Sequence, residues 1–174
     1  LESLKVLAAE KGIVDMDSQY SRIRIFDDGV ARYLDLEMNP SSAIYLESDE
    51  LVFEYTKGYE LVRSLYGSLE RVLVIGGGTF TYPRHLRMVS PQTQVDAVEI
   101  DPALTDLAAK YFRLGLSDER LRIINEDGRT YLNNYDGEGY DLIFGDAFKS
   151  FYTLPQQLTT VEAVKAHYEA LAED

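Results

Sequence analysis

A short apolar run that ends in three consecutive glycines constrains the fold of this 174-residue chain more than any other feature. Residues 71–75 read Arg-Val-Leu-Val-Ile, and Gly76, Gly77 and Gly78 follow directly. A continuous apolar run of this kind is typical of a strand that is buried on both faces, as in a parallel sheet. Glycines at the end of such a strand leave backbone N–H groups open to a ligand. The segment therefore predicts a buried strand followed by a turn that can bind a ligand.

The chain from residue 49 onward alternates helical and extended patterns. An apolar stripe at helical spacing runs from residue 51 to residue 66, and further strands are predicted at residues 94–100, 121–125 and 141–144. We expect Asp101 to cap a helix that begins at Pro102, and Thr159 to form a capping box with Glu162. Alternation of this kind predicts an α/β domain in which helices cover a parallel sheet.

The first 48 residues follow a different pattern. A short helix that ends at Gly12 is predicted first. Alternating residues at 20–26 and 30–36, on either side of a turn at residues 27–29, predict a β-hairpin. A third extended segment is expected at residues 43–46. These patterns predict a small β-rich unit.

Two units are therefore expected, the β-rich one at residues 1–48 and the α/β domain at residues 49–174. Composition limits what they can do. Seventeen Lys and Arg against 30 Asp and Glu give a net charge of −13, which disfavours binding to nucleic acids and to anionic membranes. The chain has no Cys, and its two histidines, His85 and His167, are predicted to be surface residues, so no metal site is expected. No apolar run approaches the roughly 18 residues of a membrane helix, which predicts a soluble domain.

The predicted strands end in residues suited to ligand binding. Glu99, Asp127 and Asp146 each lie at or just after the end of a strand, and ligands of open parallel sheets bind at that edge. Glu99 lies 21 residues beyond Gly78, close to the roughly 20-residue spacing at which an acid reaches ribose hydroxyls. Other interpretations stay open, because the glycines could form only a tight turn and the two aspartates could only cap the segments that follow them.

These motifs, taken in their order, resemble the spermidine synthase family of aminopropyltransferases, which has the fold of S-adenosylmethionine-dependent methyltransferases. The matching segments are Ser18-Gln-Tyr20, Tyr33-Leu-Asp35, Phe53-Glu-Tyr55, Val74-Ile-Gly-Gly-Gly78, Val98-Glu-Ile-Asp101, Asp127-Gly128 and Tyr140-Asp-Leu-Ile-Phe-Gly-Asp146. Residues 76–84 and 146–150 look most like a bacterial branch in which this domain is fused to a membrane region. The resemblance implies a Rossmann-like fold whose last strands are missing from the chain, together with the small N-terminal β-rich unit.

The resemblance also implies roles for individual residues. The co-substrate, S-adenosylmethionine or its decarboxylated form, would be bound by Gly76, Gly77, Gly78, Glu99, Asp101, Asp127 and Gly128. Glu99 would hold the ribose, and Asp127 with Gly128 would meet the adenine. Asp146 would accept the proton of an attacking amine, and Tyr55 would lie beside that amine. The implied activity is aminopropyl transfer to a small amine in polyamine biosynthesis, without a metal.

The location and assembly implied are those of a cytoplasmic domain, alone or as the soluble part of a membrane-fused protein, and a homodimer is compatible with them. Two positions depart from the family pattern, since Thr79 and Lys149 replace aspartates. Neutral and cationic residues in place of anionic anchors would penalise a diamine, unless Lys149 points to solvent. Nearby, Phe148, Phe151 and Tyr152 form either a substrate lid or core packing.

Two other functions therefore stay open. One is a methyltransferase-type enzyme that uses S-adenosylmethionine and a substrate other than a diamine. The other is a noncatalytic nucleoside-binding domain of a membrane protein.

Overall fold

The computed structural model describes residues 11–148 and 153–173, except for the Lys11 side chain. The first unit is a four-stranded antiparallel sheet in the order β1-β2-β3-β4. Its strands are β1 (Lys11–Asp17), β2 (Arg22–Asp27), β3 (Ala31–Leu36) and β4 (Asn39–Tyr45). The predicted hairpin is confirmed as β2 and β3, with Phe26 paired to Tyr33. The prediction of a helix that ends at Gly12 is wrong at that residue, because Gly12 lies within β1 and pairs with Phe26; residues 1–10 lie outside the described part.

The second unit is the predicted parallel sheet covered by helices. Its strands are β5 (Arg71–Ile75), β6 (Gln94–Val98), β7 (Leu121–Ile124) and β8 (Leu142–Gly145), in the order β7-β6-β5-β8. Its helices are α1 (Glu54–Ser64), α2 (Thr81–Val89), α3 (Pro102–Tyr111), α4 (Gly128–Asn134) and α5 (Val161–Glu169), and a 3₁₀ turn spans Gln156–Leu158. The chain moves outward from β5 to β7 and then returns to β8 on the other side of β5. The order reverses between β5 and β8, which is where ligands bind in doubly wound sheets.

Local capping explains where two of the helices begin. Asp101 caps α3 as predicted, because its side chain accepts a hydrogen bond of 3.0 Å from the Ala103 N–H. The predicted capping box at Thr159 is wrong, since Thr160 caps α5 by accepting a 3.1 Å bond from Ala163. The hydroxyl of Thr159 instead donates to the Gln156 carbonyl of the 3₁₀ turn at 3.1 Å, so it is already engaged.

Both faces of the parallel sheet are buried. One face packs under α1 and α2 and the other under α4 and α5, as expected for a parallel sheet whose strands are mostly apolar. The first cluster includes Val72, Val74, Tyr82, Leu86, Val95 and Phe144. The second includes Leu73, Ile75, Val98, Tyr131, Leu132, Tyr140 and Ala166.

The antiparallel sheet shares its core with the α/β unit through α3. Leu104 lies in the first turn of α3, and Phe112 directly follows the helix. Both pack with apolar residues of the small sheet, namely Ile23, Ile25, Leu34 and Ile44. A polar tie adds to this contact, since the Arg32 guanidinium donates to the Tyr111 carbonyl at 3.0 Å. The small sheet therefore lies directly against the helix that follows Asp101.

Two further observations concern the helices. No helix in the described ranges has the length and apolar character that a membrane crossing needs. His85 lies between α1 and α2 with its side chain 15% exposed and its Nε2 3.5 Å from the Glu60 carboxylate. The prediction that His85 is a surface residue is therefore wrong.

Candidate functional site

The carboxyl ends of the four parallel strands place the predicted site residues in one row. Asp127 follows β7, Glu99 follows β6, Gly76 follows β5 and Asp146 follows β8. Neighbouring strands lie about 4.8 Å apart, so the row spans roughly 15 Å. The sheet order thus brings to one edge residues that are up to 70 positions apart in the sequence.

The glycine turn lies against the end of β8. Gly76 has a φ of +96° and Gly78 a φ of +54°, values in the left-handed region that favours glycine. A Cβ atom at Gly76 would lie 2.5 Å from backbone atoms of Asp146 and Ala147. Only a glycine permits this approach, which joins the turn after β5 to the turn that carries Asp146.

Glu99 braces the same turn from the other side. Its two carboxylate oxygens accept backbone hydrogen bonds, one of 2.8 Å from Gly78 and one of 3.0 Å from Asp101. Burial raises the pKa of Glu99, and these backbone bonds oppose that effect. A carboxylate has about four lone-pair positions, so two remain for hydroxyl groups of a ligand. The predicted ribose residue therefore also fixes the glycine turn, a role that its spacing in the sequence did not reveal.

Asp101 and Asp127 both cap helices. Asp101 is 3% exposed, and its second oxygen, Oδ2, accepts no hydrogen bond within the described residues. Asp127 accepts from the Thr130 N–H at 2.9 Å and from the Gln157 amide at 3.3 Å. Asp127 therefore caps the helix that follows it, as one interpretation of the sequence predicts. Its carboxylate is half-buried at the edge of the sheet. Gly128 is buried, and a Cβ there would lie 2.5 Å from a methyl group of Ile75.

Asp146 is a second carboxylate of the row whose pKa burial raises. Burial raises its pKa to about 7, although hydrogen bonds from Tyr59 and Tyr55 act in the opposite direction. The Tyr59 hydroxyl donates to Asp146 Oδ1 at 3.0 Å. Tyr55, predicted to lie beside the amine, is 44% exposed, and its hydroxyl lies near Asp146 and lowers the pKa of that carboxyl group. An acid with a pKa near 7 can both hold and release a proton at neutral pH.

The sequence patterns do not predict Tyr59 as a site residue. It lies on the apolar stripe between residues 51 and 66, and a period of 3.6 cannot tell a buried ring from a ring whose hydroxyl has a partner. The available signal was its spacing, because Tyr55 and Tyr59 stand four residues apart and so share one face of α1.

Aromatic rings continue from Tyr59 away from the carboxylate. The centroid of the Tyr59 ring lies 4.9 Å from that of Phe144, 5.3 Å from that of Tyr82 and 5.5 Å from that of Tyr55. Ring faces next to a carboxylate attract organic cations. The surroundings of Asp146 therefore suit a positively charged group.

The two positions that depart from the family pattern have different outcomes. Thr79 is 1% exposed, its N–H donates to the Ser42 hydroxyl at 3.3 Å, and its own hydroxyl has no hydrogen-bond partner within the described residues. Lys149 lies outside the described residues, as do Phe151 and Tyr152. Phe148 is 54% exposed, which does not fit core packing.

The carboxylates at and next to the strand ends have no basic side chain as a partner. Within residues 11–148 and 153–173, no ion pair joins a basic side chain to Glu99, Asp101, Asp127 or Asp146. A cleft of one charge sign raises the local concentration of ligands of the opposite sign. The edge is therefore suited to a ligand that combines hydroxyl groups with a cationic centre.

Comparison with known proteins gives a consistent result. A family model described as the spermine/spermidine synthase domain matches residues 58–174. A polyamine aminopropyltransferase of Lachnospira eligens is 30% identical over 172 residues, which are 97% of this chain and 58% of that protein. The chain therefore spans less than two thirds of the length of this relative.

Solved structures agree with the sequence comparison. A probable spermidine synthase from Corynebacterium glutamicum superposes with a TM-score of 0.79 at 27% identity, over 91% of this chain and 60% of that one. A spermidine synthase in complex with the transition-state analogue AdoDATO superposes with a TM-score of 0.78 at 26% identity, over 94% of this chain and 56% of that one. Human methyltransferase-like protein 13, in complex with SAH, gives 0.61 at 24% identity over 69% and 61%, and it supports the methyltransferase-type fold alone.

Proposed function

The chain belongs to the spermine/spermidine synthase family, and we propose that it is an aminopropyltransferase-like domain that binds S-adenosylmethionine or its decarboxylated form. The observation that carries the proposal is the position of Asp146. It lies at the reversal of strand order, beside the glycine turn, with a pKa raised to about 7 by burial. A group there faces the region where doubly wound sheets bind nucleosides.

In the proposed reaction, the nitrogen lone pair of an amine attacks the carbon next to the sulfonium sulfur. The new C–N bond forms as the C–S bond breaks, and the electron pair of that bond neutralises the sulfur as a thioether. An ammonium group has no free pair, so the amine must be uncharged when it attacks. Asp146 takes the proton that the nitrogen loses, as a general base. The hydrogen bond from Tyr59 would hold the carboxylate in place.

The nucleoside would lie along the strand ends. Glu99 has lone pairs left for the two ribose hydroxyls, and the glycine turn leaves room for the nucleoside to approach the backbone. Asp127 and Gly128, at the start of α4, would meet the adenine. The negative edge would attract the sulfonium.

Product analysis tests this proposal. The chain is incubated with putrescine and either S-adenosylmethionine or its decarboxylated form, and products are identified by mass spectrometry. We expect aminopropyl transfer that Asp146→Asn reduces at least 100-fold, because an amide cannot accept the proton, while affinity for 5′-methylthioadenosine stays unchanged. An Asp146→Asn variant with near-normal turnover would remove Asp146 from the mechanism.

One observation favours a second candidate, transfer to an acceptor other than a diamine. Thr79 is neutral and buried where the family pattern has an aspartate, so one anionic anchor for a cationic substrate is missing. In that case putrescine is a poor acceptor, and Thr79→Asp combined with Lys149→Asp raises the rate of aminopropyl transfer to putrescine. A methylated product in the same analysis would favour the methyltransferase-type enzyme. Nucleoside binding without any product would favour the noncatalytic domain.

A further inference from the structure

Two tyrosines contact Asp146, and they differ in how firmly the fold holds them. Tyr59 is half-buried, and its ring packs against Phe144 and Tyr82 as well as against Tyr55. Tyr55 is 44% exposed, and its aromatic neighbours among the described residues are Phe53, just before α1, and Tyr59 on α1. A ligand that enters the cleft can therefore displace the hydroxyl of Tyr55 more easily than that of Tyr59.

We propose that Tyr59 is a positioning residue that fixes the Asp146 carboxylate and sets the pH at which it becomes a base. This inference rests on the proposed function only for the consequence in catalysis, since the contact itself is independent of any substrate. The geometry is a hydrogen bond of 3.0 Å from the Tyr59 hydroxyl to Asp146 Oδ1. A donor to a carboxylate stabilises the ionised form, so the bond keeps the pKa of Asp146 lower than burial alone would make it.

Within the part of the chain that the structure describes, few other titratable groups act on Asp146 and Tyr59. On α1, the titratable groups that act on Asp146 are Tyr55 and Tyr59. On α2, Tyr82 faces Tyr59. Beyond Tyr82 lie Glu60 and Arg63 of α1. Burial and the neighbouring carboxylate raise the pKa of Tyr59, so it stays protonated and remains a donor throughout the working range.

The same cluster provides a matched control. Tyr82 is 2% exposed, it packs against the Tyr59 ring, and its hydroxyl has no hydrogen-bond partner within the described residues. Tyr82→Phe therefore removes a buried hydroxyl from this aromatic cluster without removing a bond to Asp146. Tyr59→Phe removes a hydroxyl that does bond to it.

The test is a carboxyl-carbon NMR titration of the wild type, Tyr59→Phe and Tyr82→Phe. The Asp146 resonance is identified by its loss in Asp146→Asn. We expect Tyr59→Phe to raise the pKa of Asp146 by about one unit, the size of shift that one hydrogen bond to a charged group can produce. Tyr82→Phe should leave it unchanged. No shift in Tyr59→Phe, or an equal shift in both variants, would overturn the proposal.

Activity supplies the second readout. If the domain transfers an aminopropyl group, the acidic limb of its rate profile should move up by about one pH unit in Tyr59→Phe. The rate at pH 7 should then fall about fivefold and recover near pH 9, because the ionised fraction of Asp146 falls from about a half to about a tenth. A rate loss that is the same at every pH would contradict the proposed role. Absence of transfer by the wild type would count against the proposed function, while the titration would still decide the role of Tyr59.

Discussion

Asp146 makes the stability of the protein depend on pH in a direction opposite to that of most carboxylates. Its pKa in the folded state is raised to about 7, whereas an aspartate in an unfolded chain titrates near 3.9. The protonated form is therefore favoured by folding. Its stabilising contribution is complete below about pH 4 and is lost as the pH rises through 7.

Asp146→Asn removes this titration and keeps an oxygen that can accept from Tyr59. We expect the variant to match the wild type in free energy of unfolding near pH 4 and to exceed it by on the order of 4 kcal/mol at pH 8. Urea unfolding at a series of pH values measures the difference. A gap that is constant with pH would mean that Asp146 titrates normally.

Glu99 gives a prediction about binding. Its oxygens hold the turn at Gly78 and the start of α3 through two backbone bonds. Glu99→Gln replaces one acceptor oxygen by a donor, so we expect at least tenfold weaker binding of 5′-methylthioadenosine by calorimetry. Glu119→Gln, at an exposed position, serves as the control and should bind normally. Unchanged affinity in Glu99→Gln would rule out the assignment to ribose.

At the scale of elements, the contact between the glycine turn and the end of β8 is the most demanding in the site. Gly76→Ala would place a methyl group 2.5 Å from backbone atoms of Asp146 and Ala147, at a φ that alanine adopts at a cost of roughly 1–2 kcal/mol. We expect a loss of stability of about 2 kcal/mol or more and a loss of nucleoside binding, since the turn must move. Gly145→Ala, where a Cβ meets nothing within 4 Å, should change stability by less than about 0.5 kcal/mol. Thermal unfolding of both variants makes the comparison, and equal effects would contradict it.

The elements also show what the sequence could predict. Short, mostly apolar runs predict the parallel strands, although β6 contains Asp96 and β7 contains Arg122. The adjacent Asp101 and Pro102 predict the start of α3. The start of α5 was misplaced by one residue, because two threonines stand together and only the structure reveals that Thr159 is bonded to Gln156. Strand β1 was missed at Gly12, since its pairing with β2 is a contact that a local pattern does not contain.

Site residues divide in the same way. Residues at strand ends could be predicted, because the edge of a parallel sheet is fixed by its topology. The partner of Asp146 on α1 could not, because the packing of a helix across the sheet determines which hydroxyl reaches it.

At the scale of the whole molecule, the two sheets share one core through α3. Leu104 is 2% exposed and packs with the antiparallel sheet, so Leu104→Ala should cost about 2–5 kcal/mol. If the sheets unfold together, amide hydrogen exchange in β2 and in β5 should accelerate by the same factor. Leu116→Ala, at a residue that is 63% exposed, should have little effect on either. Faster exchange in β2 alone would show that residues 1–48 form an independent unit.

The aromatic cluster beside Asp146 has an optical consequence. The chain contains 13 Tyr and no Trp, so its ultraviolet emission comes from tyrosine. One of these tyrosines, Tyr59, donates to the carboxylate that would take up the proton, and the hydroxyl of Tyr55 lies near it. A phenol bonded to a carboxylate can pass its proton on in the excited state and loses emission as a result. Filling the cleft or titrating Asp146 should therefore change the tyrosine fluorescence of the protein, so ligand binding can be followed without an added fluorophore.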